Sequence, residues 1–186
     1  MTASLPQEIS ERILMRSDHP LSAGDAPPDL VRLSHDYHLS VTWGDVTVSG
    51  VIIPALSDLM NAASAAGVYA REVANYGAQV ADTESARPGM SQHQLGTAVD
   101  VGSITNEFAS TPAGQFLAAY AWEYGFSLSY PRGFEQLTGY RYESWHYRYI
   151  TRAGTALQRE YFDDVQQYML DFFHENQATL RVKRAR

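Results

Sequence analysis

Two short, glycine-marked segments carry histidines and carboxylates at spacings that could bind a metal ion. The first is SQHQLGTAVD at residues 91–100, and the second is ESWH at residues 143–146. Together they offer His93, Asp100 and His146, a nitrogen and oxygen set that suits zinc with a fourth position open for water. A zinc ion bound in this way would be catalytic rather than structural, because the open position allows it to activate water.

The expected local structure explains how these side chains could meet. If the first segment continues as a strand from Gly96, then Gly96, Ala98 and Asp100 share one face by the period of two. His93 precedes the turn at Gly96 and can fold back toward Asp100. We expect His146, at the start of another strand, to supply the third ligand.

A second carboxylate could supply the proton chemistry. Glu143 stands three residues before His146 and is the candidate to take a proton as a metal-bound water attacks a carbonyl. Each residue alone has an ordinary explanation: a lone histidine is more often a surface or core residue, Glu143 a surface charge and Asp100 a strand-end residue. Spacing alone leaves both interpretations open.

Both segments resemble a known family. The pattern Ser-x-His-x-x-Gly-x-Ala-x-Asp, followed by Glu-Ser-Trp-His, is similar to the VanY type of zinc D-alanyl-D-alanine carboxypeptidases. These belong to a wider group that contains lysostaphin-type peptidases and the hedgehog signalling domain. Further stretches also match, at residues 26–30, 86–89 and 125–140. The resemblance covers residues 26–175.

The resemblance implies a role for each matching residue. It implies that three residues bind zinc and that a fourth is the general base: His93, Asp100, His146 and Glu143. It also implies that Ser91 contacts the substrate peptide and that Trp145 forms a wall of the site. From the residues alone, Ser91 could equally be a turn hydroxyl and Trp145 plain core packing.

One departure from the family pattern concerns an arginine. The family usually carries Ser-Gly-Tyr-Arg-Ser-Tyr-x-x-Gln upstream, and its arginine polarises the scissile carbonyl or holds the substrate. Here Ala74 takes the arginine position. Arg71 lies one turn earlier if this stretch is helical and could reach the same place, whereas Arg87 is a weaker substitute. Gln79 matches the family glutamine and is expected to contact the substrate.

Periodicity indicates the elements that must position these residues. Alternation over residues 39–48 predicts a β-hairpin that turns at Gly44 and Asp45. Further short strands are expected at residues 97–101, 127–130 and 146–150. The first forty residues, polar and punctuated by prolines, are expected to form an extended arm with at most one short helix.

Helical spacing predicts three amphipathic helices. One covers residues 52–66 and stops at Gly67, and a second runs from the cap at Thr111 to Gly125. The third is formed by the apolar residues Phe162, Val165, Met169, Phe172 and Phe173. Strands and helices that mix without a βαβ rhythm predict an α+β domain. We expect a small antiparallel sheet flanked by helices, with a single zinc site in a cleft.

Composition narrows the function further. The 186 residues suit one domain, and a formal net charge of −7 lacks the basic footprint of nucleic-acid binding. The chain has no cysteine, which removes disulfides, thiolate nucleophiles and cysteine-ligated zinc. We find no transmembrane run and no signal-peptide pattern at residues 1–10, so any export signal is expected to be absent from this chain.

The expected organisation has three parts: an N-terminal arm at residues 1–25, a zinc peptidase domain at 26–175 and a basic tail at 176–186. The tail holds four of the 14 basic residues. It is either a solvated tail or a contact for an anionic polymer or membrane surface. The substrate class alone predicts a location in the bacterial envelope, the periplasm or outside the cell.

The resemblance implies zinc-dependent hydrolysis of the bond before a C-terminal D-alanine in peptidoglycan stem peptides. The residues do not distinguish D,D from L,D cleavage, or a carboxypeptidase from an endopeptidase. A non-catalytic zinc module that binds a peptide or protein is the opposing hypothesis, which Ala74 favours and Glu143 argues against. A serine hydrolase built on Ser91 would leave Glu143 and His146 without a role.

Overall fold

The computed structural model describes residues 27–33, 47–65, 91–176 and 179. Within these ranges lie five short strands: β1 (Leu30–Arg32), β2 (Thr47–Ser49), β3 (Ala98–Asp100), β4 (Phe126–Leu128) and β5 (His146–Tyr149). The same ranges hold five α-helices: α1 (Ile53–Ala65), α2 (Pro112–Tyr120), α3 (Glu135–Thr138), α4 (Arg152–Tyr161) and α5 (Gln166–Glu175). None of these described helices is both long and apolar enough to cross a bilayer.

The strands form two antiparallel sheets. β1 pairs with β2, and β5 lies between β3 and β4 in a separate three-stranded sheet. In the larger sheet Asp100 pairs with His146, and Ala98 pairs with Arg148. Directly opposed residues project from the same face of a sheet. The register of β3 and β5 therefore brings two predicted ligands together from distant positions in the chain.

The opposite face of the three-stranded sheet covers the hydrophobic core. Val99 and Tyr147 pair with each other next to the Asp100–His146 pair and are buried in this core, because side chains alternate along a strand. Helix α1 adds Leu56 and Leu59, and α2 adds Leu117. One face of the sheet thus anchors it to the helices, while the other carries the candidate ligands.

Most of the predicted architecture is confirmed. The domain is α+β, and the three strands expected at 97–101, 127–130 and 146–150 correspond to β3, β4 and β5, although β4 begins one residue early. Helix α1 matches the first predicted helix. Helix α2 matches the second: the Thr111 hydroxyl accepts from Gly114 N, and the following 3-10 helix (Ala121–Tyr124) ends at Gly125. The stop expected at Gly67 lies outside the described residues.

The extended arm predicted for the first forty residues contains a strand that the sequence did not predict, β1. This strand is only three residues long and mostly exposed, so it has no hydrophobic alternation that could reveal it. It depends on tertiary partners: Val31 pairs with Val48, and the Ser49 hydroxyl donates to Asp29 Oδ2 at 2.6 Å. The first strand and turn of the predicted hairpin at 39–48 lie outside the described residues.

The third predicted helix is wrong at its start. Asp163 and Asp164 have φ values of 52° and 58°, a left-handed conformation that an α-helix cannot include. These residues follow the unpredicted helix α4, and Phe162 is its C-terminal cap. Val165 is then the N-terminal cap of α5, which begins at Gln166.

Gly96 connects the turn that carries His93 to strand β3, and its surroundings leave no room for a side chain. Its φ is 66°, and a Cβ there would lie 2.8 Å from Ser49 N and 2.9 Å from Leu30 Cδ2. Ser49 N is already committed, because it donates to Gly96 O at 2.8 Å. A larger residue at this position would therefore disturb both the turn and the contact with β2.

We expect Gly96→Ala to destabilise the protein more than Gly133→Ala does. Gly133 has a similar φ of 87°, and no described atom lies within 4 Å of the position that an alanine methyl would take there, so it isolates the cost of the backbone conformation. That cost is about 1–2 kcal/mol for an alanine in the left-handed region, and Gly96→Ala adds the clash. Urea unfolding of both variants measures the difference, and equal losses would contradict the role of crowding.

Candidate metal centre

Three side chains from three elements converge at the edge of the larger sheet. His93 lies in the 3-10 helix Gln92–Leu95, Asp100 is the last residue of β3, and His146 is the first of β5. Gly96 caps the 3-10 helix in a left-handed conformation, which reverses the chain into β3. This reversal turns His93 back toward Asp100.

Asp100 bridges the two imidazoles. Its Oδ1 lies 2.9 Å from His146 Nδ1, and its Oδ2 lies 3.4 Å from His93 Nε2. One candidate ligand atom from each of the three residues lies within 4.8 Å of the others. Zinc bonds of about 2.0–2.2 Å in a tetrahedron separate neighbouring ligand atoms by about 3.3–3.6 Å. The 3.4 Å contact lies in that range and the 2.9 Å contact is slightly shorter, so a small adjustment lets this donor set hold a zinc ion.

For Asp100 and His146, two of its three residues, the cluster favours the protonation state that a metal requires. Burial acts to raise the pKa of Asp100, but hydrogen bonds with His146 and His93 outweigh it and hold that pKa well below its usual range. Burial lowers the pKa of His146, and Asp100 only partly offsets this. Burial also acts against protonated His93, but the hydrogen bond and charge of Asp100 prevail and raise its pKa. Asp100 is therefore ionised and His146 neutral, as metal ligands must be.

A second carboxylate stands next to these atoms. Glu143 Oε2 lies 3.9 Å from His146 Nδ1, the same nitrogen that faces Asp100, and the Glu143 side chain is 16% exposed. The backbone of Glu143 is held by Tyr130, whose carbonyl accepts from Glu143 N at 3.1 Å. Glu143 thus lies within reach of a group held at the cluster while its own backbone is fixed.

The loop that carries Glu143 is also held from the other side. The Asn106 side chain donates from Nδ2 to Tyr142 O at 3.2 Å and accepts from Ser144 N at 3.4 Å through Oδ1. A single amide therefore spans the two neighbours of Glu143. Such a bridge restricts how far the carboxylate can move from the cluster.

Aromatic rings pack against the buried histidine. The Tyr130 ring stacks on the rings of both His146 and Tyr140. Its centroid lies 4.9 Å from that of His146 and 4.6 Å from that of Tyr140, and the interplanar angle is 28° in each pair. Burial raises the pKa of Tyr130 far above its usual value, and Tyr140 and Glu143 act in the same direction. Tyr130 is therefore a neutral ring that limits the rotation of the His146 imidazole.

A buried arginine lies on the same face of the sheet as the cluster. Arg148 is 1% exposed and stands two residues after His146 on β5, so both project from the same face. Burial lowers the pKa of Arg148 to about 10, and its guanidinium stays charged at neutral pH. It therefore places a positive charge on the face of the sheet that carries the cluster.

Comparison with known proteins identifies the family. A family model described as VanY, D-alanyl-D-alanine carboxypeptidase, matches residues 46–152, which is more than half of the chain. The chain belongs to the VanY family. The matched range contains the three residues of the cluster and its neighbouring carboxylate: His93, Asp100, His146 and Glu143.

Similarity to a curated protein agrees with this assignment. A D-alanyl-D-alanine carboxypeptidase of Enterococcus faecium is 31% identical over 181 residues, covering 89% of this chain and 59% of the relative. The chain spans 41% to 59% of the length of the curated relatives it matches.

Two solved structures share the fold. The LdcB LD-carboxypeptidase has a TM-score of 0.68 and 26% identity, covering 88% of this chain and 87% of that chain. A vancomycin resistance D,D-pentapeptidase VanY from the VanB-type cassette, in complex with Zn(II), has a TM-score of 0.59 and 27% identity. That match covers 81% of this chain and 94% of the other.

Of the other residues predicted for this VanY-family site, the structure describes Ser91 and Trp145. Ser91 is the cap of the 3-10 helix that carries His93, and its hydroxyl accepts from His93 N at 3.3 Å, which agrees with the turn-hydroxyl alternative. Trp145 is 4% exposed and belongs to the hydrophobic core, which agrees with the packing alternative. Arg71 and Gln79 lie outside the described residues, as do Ala74 and Arg87, so their roles stay predictions.

Proposed function

We propose that the chain is a zinc-dependent peptidase that hydrolyses the bond before a C-terminal D-alanine in peptidoglycan stem peptides. The observation that carries this proposal is a carboxylate beside a three-residue donor set, with 3.9 Å between Glu143 Oε2 and His146 Nδ1. A module that only binds peptides has no need of a proton acceptor at that position. Membership of the VanY family and similarity to the Zn(II) complex of VanY support the proposal.

The donor set defines which residues would hold the metal. His93, Asp100 and His146 would each contribute one atom. When bound, zinc supplies Lewis-acid chemistry, because it lowers the pKa of a bound water to about 7 and polarises a carbonyl. Burial lowers the pKa of His146, so its ring reaches this role without having to lose a proton at neutral pH.

Glu143 acts first as general base and then as general acid. It accepts a proton from the attacking water as the water oxygen bonds to the scissile carbonyl carbon. It then gives that proton to the nitrogen of the leaving D-alanine as the C–N bond breaks. One water is consumed, and the products are free D-alanine and a peptide shortened by one residue. The backbone hydrogen bond from Glu143 N to Tyr130 O keeps the carboxylate in position for both proton transfers.

The substrate contacts are proposed from the family resemblance. Ser91 and Gln79 would contact the substrate peptide, and Arg71 would replace the family arginine as the cation that holds the substrate or polarises its scissile carbonyl. Trp145 would form a wall of the site. We also propose residues 26–175 as the peptidase domain and the bacterial envelope as the place of action, since that is where stem peptides are found.

An L,D-carboxypeptidase is the second candidate. The observation in its favour is the higher TM-score of LdcB, 0.68 against 0.59 for the D,D-pentapeptidase. Both candidates use the same donor set and the same base. They differ in the configuration of the residue before the terminal D-alanine.

Mass spectrometry of three stem-peptide substrates tests the proposal. Zinc-loaded protein is incubated with a pentapeptide ending in D-Ala-D-Ala, with the corresponding tetrapeptide and with a cross-linked dimer. We expect loss of one alanine from the pentapeptide only. Cleavage of the tetrapeptide alone would support the L,D candidate. Cleavage of the cross-linked dimer would support an endopeptidase. One bound zinc per chain with all three substrates intact would contradict a peptidase and leave a binding module.

A further inference from the structure

A buried glutamine contacts the ring nitrogen of His146 that faces away from Asp100. Gln92 Oε1 lies 3.3 Å from His146 Nε2, and the Ser129 hydroxyl donates to the same Oε1 at 2.7 Å. Gln92, Ser129 and His146 are 6%, 3% and 4% exposed. Solvent is therefore a poor alternative partner for any of the three groups.

Metal binding would determine the position of the His146 proton. A neutral imidazole carries its proton on one nitrogen and a lone pair on the other. Without a metal, His146 Nδ1 can donate to Asp100 Oδ1 at 2.9 Å, but it is also the nitrogen that the donor set directs at the metal, and a metal-bound Nδ1 carries no proton. The proton must then be on Nε2, where a buried N–H requires an acceptor. Gln92 Oε1 lies within reach.

The Gln92 side-chain oxygen can serve both the Ser129 hydroxyl and the histidine. An amide oxygen has two lone pairs and can accept from the Ser129 hydroxyl and the His146 Nε2–H together. If the amide were rotated by 180°, its NH2 group would meet the Nε2–H, donor against donor. Ser129 N also donates to His146 O at 3.1 Å, so this residue is fixed relative to the histidine by its backbone as well.

We propose that Gln92, whose side-chain oxygen also accepts from Ser129, is a positioning residue that holds His146 as the Nε2–H tautomer and so presents Nδ1 to the metal. The inference rests on the proposed zinc site, which it deepens by assigning a residue that fixes one ligand. Groups that hydrogen-bond a metal-ligating histidine in this way typically contribute 10- to 100-fold in metal affinity or activity. Gln92 is adjacent to His93, so one short turn supplies a ligand and the support of another.

Zinc affinity of three variants tests the proposal without any turnover. Gln92→Met keeps the length of the side chain but has no oxygen acceptor, and we expect it to weaken zinc binding about 10- to 100-fold in competition with a chromogenic chelator. Gln92→Glu retains the acceptor and is expected to restore most of the affinity. Gln166→Met is the control: Gln166 is 1% exposed, and within the described residues its amide has no hydrogen-bond partner. It should bind zinc as the unaltered chain does.

Nitrogen-15 NMR of the unaltered, zinc-loaded chain gives a second readout that does not depend on whether a variant folds. The proposal expects His146 to carry its proton on Nε2 and to bind zinc through Nδ1. A proton on Nδ1 would overturn it, as would wild-type zinc affinity in Gln92→Met or a Gln92→Glu variant no better than Gln92→Met. A chain that binds zinc in the expected way yet cleaves no peptide would contradict the proposed function and leave this inference standing.

Discussion

Glu143→Gln is expected to lower kcat for D-alanine release by about 10²–10⁴ while the protein still binds one zinc per chain. That range is the usual contribution of a general base or acid. Glutamine matches the size of glutamate and can keep the backbone bond from residue 143 to Tyr130 O, but its amide cannot accept the proton of the attacking water. Steady-state release of D-alanine and the zinc content of the same preparation provide the measurement.

The control for this variant is a glutamate outside the cluster. Glu123 lies in the 3-10 helix Ala121–Tyr124, and Glu123→Gln makes the same change of charge away from the donor set. We expect its kcat to equal that of the unaltered chain. If Glu143→Gln retained kcat within a few-fold, the base would have to be another group and the assigned mechanism would be wrong.

The local part of the candidate site is predictable from the sequence. His93 and Asp100 are seven residues apart, and a turn at Gly96 followed by a strand is enough to predict that they meet. The approach of His146 is different in kind, because it depends on the register that pairs it with Asp100. Local sequence features do not indicate which residues of two distant strands pair. The family resemblance is therefore the stronger indication that His146 is the third ligand.

The residues that support the site could not be predicted. Gln92 meets Ser129 from 37 positions away, and Asn106 reaches Tyr142 and Ser144 from 36 and 38 positions away. Isolated polar residues of these types are typical of ordinary turns and loops. Their function arises from tertiary packing, which neither motif spacing nor hydrophobic periodicity reports.

Helix α4 escapes prediction for a related reason. Its buried residues are Gly154, Thr155 and Gln158, so the face that packs against the domain is small and polar rather than apolar. A search for a stripe of large apolar residues misses α4, because Leu157 is its only large aliphatic residue. The same test finds α1, whose buried residues are Leu56 and Leu59.

Removal of zinc is expected to abolish D-alanine release and to destabilise the fold. A strong chelator should reduce turnover to the background rate, and added zinc should restore it. A ligand that binds only the folded state at about 1,000 times its Kd stabilises that state by about 4 kcal/mol. For a chain of this size that corresponds to a rise in Tm of about 8–16 °C, which differential scanning fluorimetry with and without zinc would detect.

His146→Ala should remove both effects of the metal at once. The variant leaves a donor set of His93 and Asp100 alone, with the Asp100 carboxylate deprived of its 2.9 Å partner, and two ligands are too few for a zinc site. We therefore expect no zinc in the purified variant, no turnover and no rise in Tm on adding zinc. His174→Ala changes a histidine of α5 that is not a member of the cluster, and it should keep all three properties. A zinc-dependent Tm in His146→Ala would mean that the metal binds elsewhere, and the cluster would then lose its assigned role.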